Sequence, residues 1–198
     1  MRSVSDVALS IVLGIGLAAA TGFRVFLPML IVSGAYTGYL PLGDNFAWLG
    51  TAPSLVMLTV AAIVEILAYY IPGLDNLLDA LATPAAFVAG TVLSAAVMTD
   101  IPPMMKWTAA VIAGGGIAGV TQGVTATLRA NSTVWTGGLG NFIMATAELG
   151  GALLVAFLAL AAPVAAVALV VLFLWLTIRL LRRLLRGVRP STREKETI

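Results

Sequence analysis

The sequence predicts an all-α membrane protein of about six transmembrane helices, which form two inverted three-helix repeats and are followed by a basic amphipathic C-terminal helix. The first supporting observation is composition: 60% of the 198 residues are hydrophobic and only 10% are charged, against about 25% charged in ordinary soluble domains. The second is a series of six apolar runs, and most of them are close in length to a membrane-spanning helix, which needs about 20 residues. The third is an internal similarity between the first run and the fourth.

The same composition limits the functions that the chain can have. A soluble domain of this size could not bury so much apolar surface, which excludes a water-soluble enzyme, a disordered chain and a fibrous protein. The chain contains no Cys and no His, so it lacks thiolate nucleophiles, the commonest metal ligand and the usual proton carrier near neutral pH. We therefore expect a protein that is not an enzyme and has no catalytic residues, cofactor or bound metal.

The apolar runs define the predicted spans. They cover about Val7–Val32, Pro53–Ile71, Pro84–Met98, Met105–Leu128, Leu139–Ala161 and Pro163–Ile178. Pro53, Pro84 and Pro163 stand at predicted helix starts, where a missing backbone N–H is tolerated. The pair Ala162–Pro163 favours a turn between the last two runs over one fused span, which would leave five spans. The first run continues past the small residues 18–20, which favours a retained span over a cleaved signal peptide.

The charge distribution predicts the orientation. Residues 1–178 carry a charge balance of −3, whereas residues 179–198 carry +5. Four arginines of this tail recur at helical spacing opposite leucines, namely Arg179, Arg182, Arg183 and Arg186. This pattern is typical of a helix that lies on an anionic membrane surface. Because Lys and Arg favour the cytoplasmic side, we expect the tail, the loop 129–138 and, after six spans, the N-terminus there. After Pro190 the tail is expected to be disordered.

A weak internal repeat divides the chain. The segment 16–21, GLAAAT, aligns with the segment 116–121, GIAGVT, at an offset of 100 residues. In each half the next run carries one central acid, Glu65 or Glu148. Three spans per half would give the two halves opposite orientations, and this inverted arrangement places transporter sites near the membrane midplane. The predicted first half, second half and tail are residues 1–99, 100–178 and 179–198.

The charged residues inside the spans are the main candidate site. An ionised side chain at the bilayer centre costs about 2.5–3.5 kcal/mol on insertion scales, so it has to be paired, neutralised or hydrated. Glu65 and Glu148 can each belong to a transport pathway or form a structural tie between helices. Arg24 cannot give up its proton, so it needs an anionic ligand, an ion pair with either Glu, or a route to the surface by snorkelling. Pro28 cannot donate to the carbonyl of Arg24, which predicts a weakened helix there.

Other polar residues are secondary candidates. Thr21, Gln122 and Asn141 are expected to contact whatever the central residues bind. A candidate cytoplasmic mouth follows the second span and consists of Tyr69, Tyr70, Asp75 and Asp79. The two acids either concentrate cations at a pore or form the solvated face of a short interfacial helix, which is the favoured interpretation. The tyrosines fit an interfacial aromatic belt.

Several of these residues belong to an ordered set of motifs. In order, these are ATGFR at 20–24, EILAYYIPGLD at 65–75, QG at 122–123, TGGLGN at 136–141 and AE at 147–148. Together they resemble a family of small bacterial inner-membrane proteins that are grouped under a domain of unknown function, over about residues 8–180. The resemblance implies that the marked positions act together, and it brings no established activity.

The chain also departs from the pattern of that family. The resemblance implies a basic residue at the position of Thr125, His near Gln122, an Asp–Lys pair at Tyr69–Tyr70 and Asp at the position of Leu149. The loss of these ionisable groups weakens a proton-relay interpretation. The remaining polar core consists of Arg24, Glu65 and Glu148.

The favoured function is a small transporter or channel for an ion or small solute, with Arg24, Glu65 and Glu148 around one midplane cavity. A lateral opening at the level of Arg24 would instead favour a translocator of lipid or lipid-linked cargo, and a non-transporting scaffold is the other alternative. The expected partners are the bilayer, anionic lipids at the tail and an unidentified solute or ion, but no nucleic acid. The glycine-rich helices are compatible with a homo-oligomer. The expected location is the bacterial inner membrane, with both termini in the cytoplasm.

Overall fold

The computed structural model describes residues 4–36, 38, 40–71, 73–99 and 101–187, and in these residues all regular secondary structure is helical. The α-helices are α1 (Val4–Thr21), α2 (Phe26–Tyr36), α3 (Ala52–Ala68), α4 (Leu74–Val97), α5 (Pro103–Ala109), α6 (Gly116–Thr136), α7 (Asn141–Ala161) and α8 (Pro163–Gly187). A 3-10 helix, Asp44–Gly50, precedes α3, and a π-helical segment, Ala110–Gly115, joins α5 to α6. The predicted disordered tail after Pro190 lies outside the described residues, as does Pro72 of the second motif.

The length and apolar character of the helices define a multi-pass membrane protein. In the described part of the chain, four helical stretches could cross a membrane: Leu77–Val97, Pro103–Thr136, Asn141–Ala161 and Pro163–Leu180. A fifth span results if Asp44–Gly50 and α3, which meet at a bend of 64°, count as one. α1 and α2 are apolar but shorter.

Helix α1 is the central element of the bundle. It packs against α4, α6, α7 and α8. Its stretch Leu17–Ala20 is almost completely buried, as expected for a helix that is apolar on all sides. Helices α2 and α3 pack against each other beside this bundle.

The first apolar run is divided into two helices, which confirms the predicted weak point beside Arg24. Helix α1 ends at Thr21, and α2 begins at Phe26. Pro28 lies in the first turn of α2, where backbone N–H groups have no partner inside the helix. At Gly22 the break approaches α6 so closely that an added Cβ would lie 2.5 Å from the Cβ of Thr121.

Three predicted boundaries are wrong. Helix α4 begins at Leu74 rather than at Pro84, which stands inside the helix. Helix α6 continues to Thr136, so the segment 129–136 is not a loop, and the turn is formed by Gly137 and Gly138 at positive φ. Helix α8 runs unbroken to Gly187, so the basic stretch continues the last span instead of forming a separate helix. In contrast, α8 begins at the predicted proline, Pro163, and α3 begins at Ala52, with the predicted Pro53 as its second residue. Ala162 separates α7 from α8.

The contact of α4 with the π-helical segment and the start of α6 depends on glycine. A Cβ added at Gly90 would lie 2.5 Å from the Cβ of Ala118, and one at Gly114 would lie 2.5 Å from the Cβ of Ser94. Small residues at such crossings allow helix backbones to approach closely.

We expect Gly90→Ala to destabilise the protein by about 1–3 kcal/mol, because the added methyl group overpacks a rigid helix crossing. Gly123→Ala is the matched control, since a Cβ there meets nothing within 4 Å. Thermal unfolding of both purified variants in the same detergent tests this. Equal midpoints for the two variants would contradict the proposed close crossing.

Candidate functional site

Arg129 is the centre of a buried ion-pair cluster. Its Nη1 donates to Oδ1 of Asp79 at 2.6 Å, and its Nη2 donates to Oε2 of Glu148. Arg24 Nη2 lies 3.6 Å from the same Glu148 oxygen and donates to the carbonyl of Ala145 at 2.9 Å. Both arginines are about 1% exposed. Two cations and two anions give formal charges that cancel, which burial of charge in an apolar bundle requires.

Tyr69 connects the two arginines. The Cζ atom of Arg24 lies 3.9 Å from the centroid of the Tyr69 ring, and that of Arg129 lies 4.3 Å from it. Its hydroxyl donates to Oδ1 of Asp79 at 3.2 Å. Tyr69 follows the last residue of α3, and burial together with the charge of Asp79 raises its pKa to about 12. The hydroxyl therefore stays a donor at neutral pH. We call Arg24, Tyr69, Asp79, Arg129 and Glu148 the polar cluster.

The polar cluster extends along α4 and α6 through amide side chains. Gln122 Nε2 donates to Oδ1 of Asp79 at 3.3 Å. Asn141 Nδ2 donates to Oδ2 of Asp75 at 2.5 Å and to Oγ1 of Thr133 at 2.8 Å. Two of the three secondary candidates, Gln122 and Asn141, thus contact buried acids.

Several polar atoms of this region have no protein partner. Among the described residues these are Nε and Nη1 of Arg24, Nε of Arg129, Oε1 of Glu148 and Oδ1 of Asn141. Unsatisfied buried polar atoms cost free energy. The polar cluster therefore retains unused capacity for hydrogen bonds.

Glu65 has a different role from Glu148. Its Oε1 accepts the backbone N–H of Val25 at 2.7 Å, and its Oε2 accepts that of Phe26 at 3.0 Å. A carboxylate from α3 thus caps the start of α2, where unpaired N–H groups and the helix dipole favour a negative charge. Glu65 also lies only one turn before the end of α3, so it is not central in its helix.

The predicted residues therefore fall into separate groups. Arg24 and Glu148 meet in the ion pair that was one alternative for Arg24. Glu65 binds the backbone that follows Arg24. Thr21 lies outside the polar cluster, and its hydroxyl donates to the carbonyl of Ala18 at 2.6 Å. The hydroxyl of Tyr70 forms a 2.9 Å hydrogen bond with Thr146 Oγ1.

The favoured interpretation of Asp75 and Asp79 as a solvated face is wrong. Asp75 is 1% exposed and Asp79 is 8% exposed. The reason is that α4 begins ten residues earlier than the sequence suggests, which carries both acids into the bundle opposite Arg129 and Asn141.

Sequence reasoning missed Arg129, which it placed in a cytoplasmic loop. The segment after Arg129, ANST, is mostly polar and resembles a loop, but α6 continues through it. A signal was present in the spacing. Gln122, Thr125 and Arg129 follow the pattern i, i+3, i+7, which places them on one helix face, and all three are buried.

A lateral groove adjoins the polar cluster. It has a volume of about 680 Å³ and lies between α3 and α4, with the start of α2 as a third side. Its lining is apolar except near Glu65 and Tyr69. The described residues contain no group of three or more metal-ligating side chains, and the acids of the polar cluster are already paired with arginines.

The fold and this cluster define a class, a helical multi-pass membrane protein with buried, mutually paired charges. Within that class, the chain belongs to the family described as Domain of unknown function (DUF4126), whose model matches residues 11–183. This membership confirms the prediction from the motifs that the chain belongs to a family grouped under a domain of unknown function. Neither a curated protein nor a solved structure matches the chain.

We expect Arg129→Met to lower the free energy of unfolding by about 3–5 kcal/mol, because it leaves two carboxylates buried without their main partner. Arg182→Met, at an exposed position of α8, is the matched control and should change stability little. Chemical or thermal unfolding in detergent measures both. Similar losses in the two variants would show that the buried ion pairs do not stabilise the fold.

Loss of the Glu65 carboxylate should expose the start of α2. In Glu65→Ala, we expect the amide hydrogens of Val25 and Phe26 to exchange at least about tenfold faster, because a charge-assisted hydrogen bond contributes roughly 1.5–3 kcal/mol. Hydrogen exchange read by mass spectrometry or NMR measures this. Thr59→Ala on the same helix removes only a hydroxyl bonded to the Leu55 carbonyl and should leave both amides unchanged. Unchanged exchange in Glu65→Ala would refute the cap.

Proposed function

We propose that the protein is a small membrane transporter for an ion or small solute, with the polar cluster as its central site. The observation that carries this proposal is a charge-balanced cluster, buried in an apolar bundle, whose members retain unpaired hydrogen-bonding atoms. Ionisable residues inside membrane helices are costly and typically mark substrate or ion pathways. Under this proposal the chain is not an enzyme.

Contacts between the two halves of the sequence support an inverted repeat. Arg24, from the first half, reaches Glu148 and Ala145 of the second half. Arg129, from the second half, reaches Asp79 of the first. This reciprocal crossing fits transporters in which the site lies at the junction of two inverted repeats.

The broken helices fit the same scheme of six spans. The first half would begin with α1 and α2 as one interrupted span, and the second with α5 and α6, which the π-helical segment interrupts. In each half the next helix carries the acid, Glu65 in α3 and Glu148 in α7. Interrupted helices are tolerated at membrane depth only where protein or a water-filled cavity surrounds them.

In the proposed mechanism, Glu148 is the switching residue because both arginines contact one of its oxygens. A proton or a cation at Glu148, or an anion at an arginine, would weaken these contacts and favour a second arrangement of the halves. A ligand shifts such an equilibrium only through its different affinity for the two states. Within the described part of the chain, Nη1 of Arg24 and Oε1 of Glu148 have no hydrogen-bond partner. A ligand that binds these two atoms more strongly in one state than in the other would supply this difference in affinity.

Translocation of lipid or lipid-linked cargo is the second candidate function. The lateral groove favours it, since the groove lies beside Val25 and Phe26, next to Arg24, and is lined by Glu65 and Tyr69. Amphipathic cargo would then move with its apolar part in the hydrocarbon core.

We place the protein in the bacterial inner membrane with both termini in the cytoplasm. Because Arg129 is buried and paired, it no longer contributes to the loop charge that sets orientation. The proposal rests on the exposed arginines at the end of α8, where Arg179 Cζ lies 5.0 Å from the Trp175 ring centroid. Such a combination of Arg and Trp suits a cytoplasmic interface with anionic lipids.

Glu148→Gln should reduce flux at least about tenfold, an effect of ~1.4 kcal/mol on the limiting step, because the neutral amide can neither form the ion pairs with the arginines nor weaken them by gaining a proton. The assay uses proteoliposomes with a pH-sensitive dye and gradients of sodium, potassium, chloride or phosphate. Asp44→Asn, which removes an exposed acid, is the matched control.

If a folded Glu148→Gln protein has the same flux as the wild type, the polar cluster is not part of the transport path. If the wild type moves none of these ions and the substitution lowers only stability, the scaffold function is favoured instead.

A further inference from the structure

The lateral groove is open to the lipid phase. On α3 it is lined by Val56, Val60 and Val64, each more than half exposed, and on α4 by Leu81, which is 63% exposed. Side chains of this kind on the outside of a membrane bundle face acyl chains rather than water. The groove is therefore open to acyl chains of the surrounding bilayer.

The length of the groove matches one leaflet of a membrane. Along α3 its lining extends from Val56 to Ala68, a distance of about 18 Å at the helical rise. Half of the hydrocarbon core is about 15 Å thick. The charged end at Glu65 lies one turn before the end of α3, so it is close to the membrane surface on that side when α3 crosses the bilayer.

The charge at this end is negative. Glu65 is the only acid among the described residues that line the groove, and no lining residue is basic. The nearest guanidinium, that of Arg24, is directed to Ala145 and Glu148. A headgroup without a cation would therefore bring its phosphate toward a carboxylate whose neighbouring cation, Arg24, already contacts Glu148.

Glu65 retains acceptor capacity for a ligand. Each of its oxygens accepts one backbone N–H, from Val25 or Phe26. A carboxylate offers about four lone-pair sites, so about two remain. A primary ammonium group, with three donors, can use them without displacing the cap of α2.

We propose that this groove binds a bilayer lipid whose headgroup ends in a primary ammonium, with one acyl chain along α3 and the ammonium at Glu65. The site supplies a cargo class for the second candidate function. The binding itself requires no flux, so an equilibrium experiment tests it separately from transport.

The test uses the full-length protein in nanodiscs of phosphatidylcholine that contain a small fraction of photoreactive lipid. The probes are phosphatidylethanolamine and phosphatidylglycerol with the same diazirine-bearing acyl chain, and crosslinks are located by peptide mass spectrometry. We expect phosphatidylethanolamine to label α3 and α4 about five times more strongly than phosphatidylglycerol, as one charge-assisted hydrogen bond allows. Labelling of Trp175–Arg183 provides an internal reference that should favour phosphatidylglycerol.

Two variants distinguish the contribution of the lipid's acyl chain to binding from that of its headgroup. Glu65→Gln should equalise the labelling of α3 by the two lipids. Ala61→Trp, which fills the groove, should remove that labelling for both, whereas Ala168→Trp, on the exposed face of α8, should leave it unchanged.

Equal labelling of α3 by both lipids in the wild type would overturn the headgroup assignment, and unchanged labelling in Ala61→Trp would overturn the site. If Glu65→Gln does not fold, the lipid ratio in the wild type and the Ala61→Trp result still decide the matter. Groove labelling without any flux would leave the lipid site established and the transport proposal unsupported.

Discussion

Two arginine side chains that cannot lose their charge are buried in an apolar helical bundle, and most of the polar architecture follows from this constraint. Removing an ion from water costs several kcal/mol even after relaxation, so Arg24 and Arg129 each require an anion and additional polar contacts. Glu148 contacts both, Asp79 pairs with Arg129, and the ring of Tyr69 lies against both guanidinium groups. Because these side chains come from α4, α6, α7 and the break that follows α1, the contacts also hold these helices together around α1.

The break between α1 and α2 connects this charged centre to the lateral groove. The broken backbone needs acceptors for its free N–H groups, and Glu65 supplies them from α3. The same acid therefore stabilises the break on one side and gives the groove its negative end on the other. A change at Glu65 would alter both the entrance of α2 and the lining of the groove, so the two regions are coupled through one side chain.

The sequence was sufficient to predict those features that depend on composition and local chemistry. The apolar runs, the turn at Ala162 and the weak helix at Arg24 required only hydropathy and the properties of proline and glycine. The start of α4 could not be predicted in the same way, because Pro84 is a local signal for a helix start. The two acids buried in the preceding ten residues, Asp75 and Asp79, contact Asn141 and Arg129, which are distant in sequence. The prediction for Arg129 was wrong for the same reason, seen from the other side of the ion pair. Its partners, Asp79 and Glu148, lie on other helices, and only its spacing from Gln122 indicated a buried polar face.

The unbroken course of α8 has a consequence for the membrane that surrounds the protein. Its apolar part, from Pro163 to Ile178, is about 24 Å long at the helical rise, whereas the hydrocarbon core of a typical bilayer is about 30 Å thick. Since Arg179 continues the same helix without a turn, the deficit of about 6 Å is a hydrophobic mismatch. The bilayer adapts by local thinning, or the arginine stems extend along the helix toward the headgroups. The acyl-chain length of the host lipid therefore influences how α8 packs against α1 and α7.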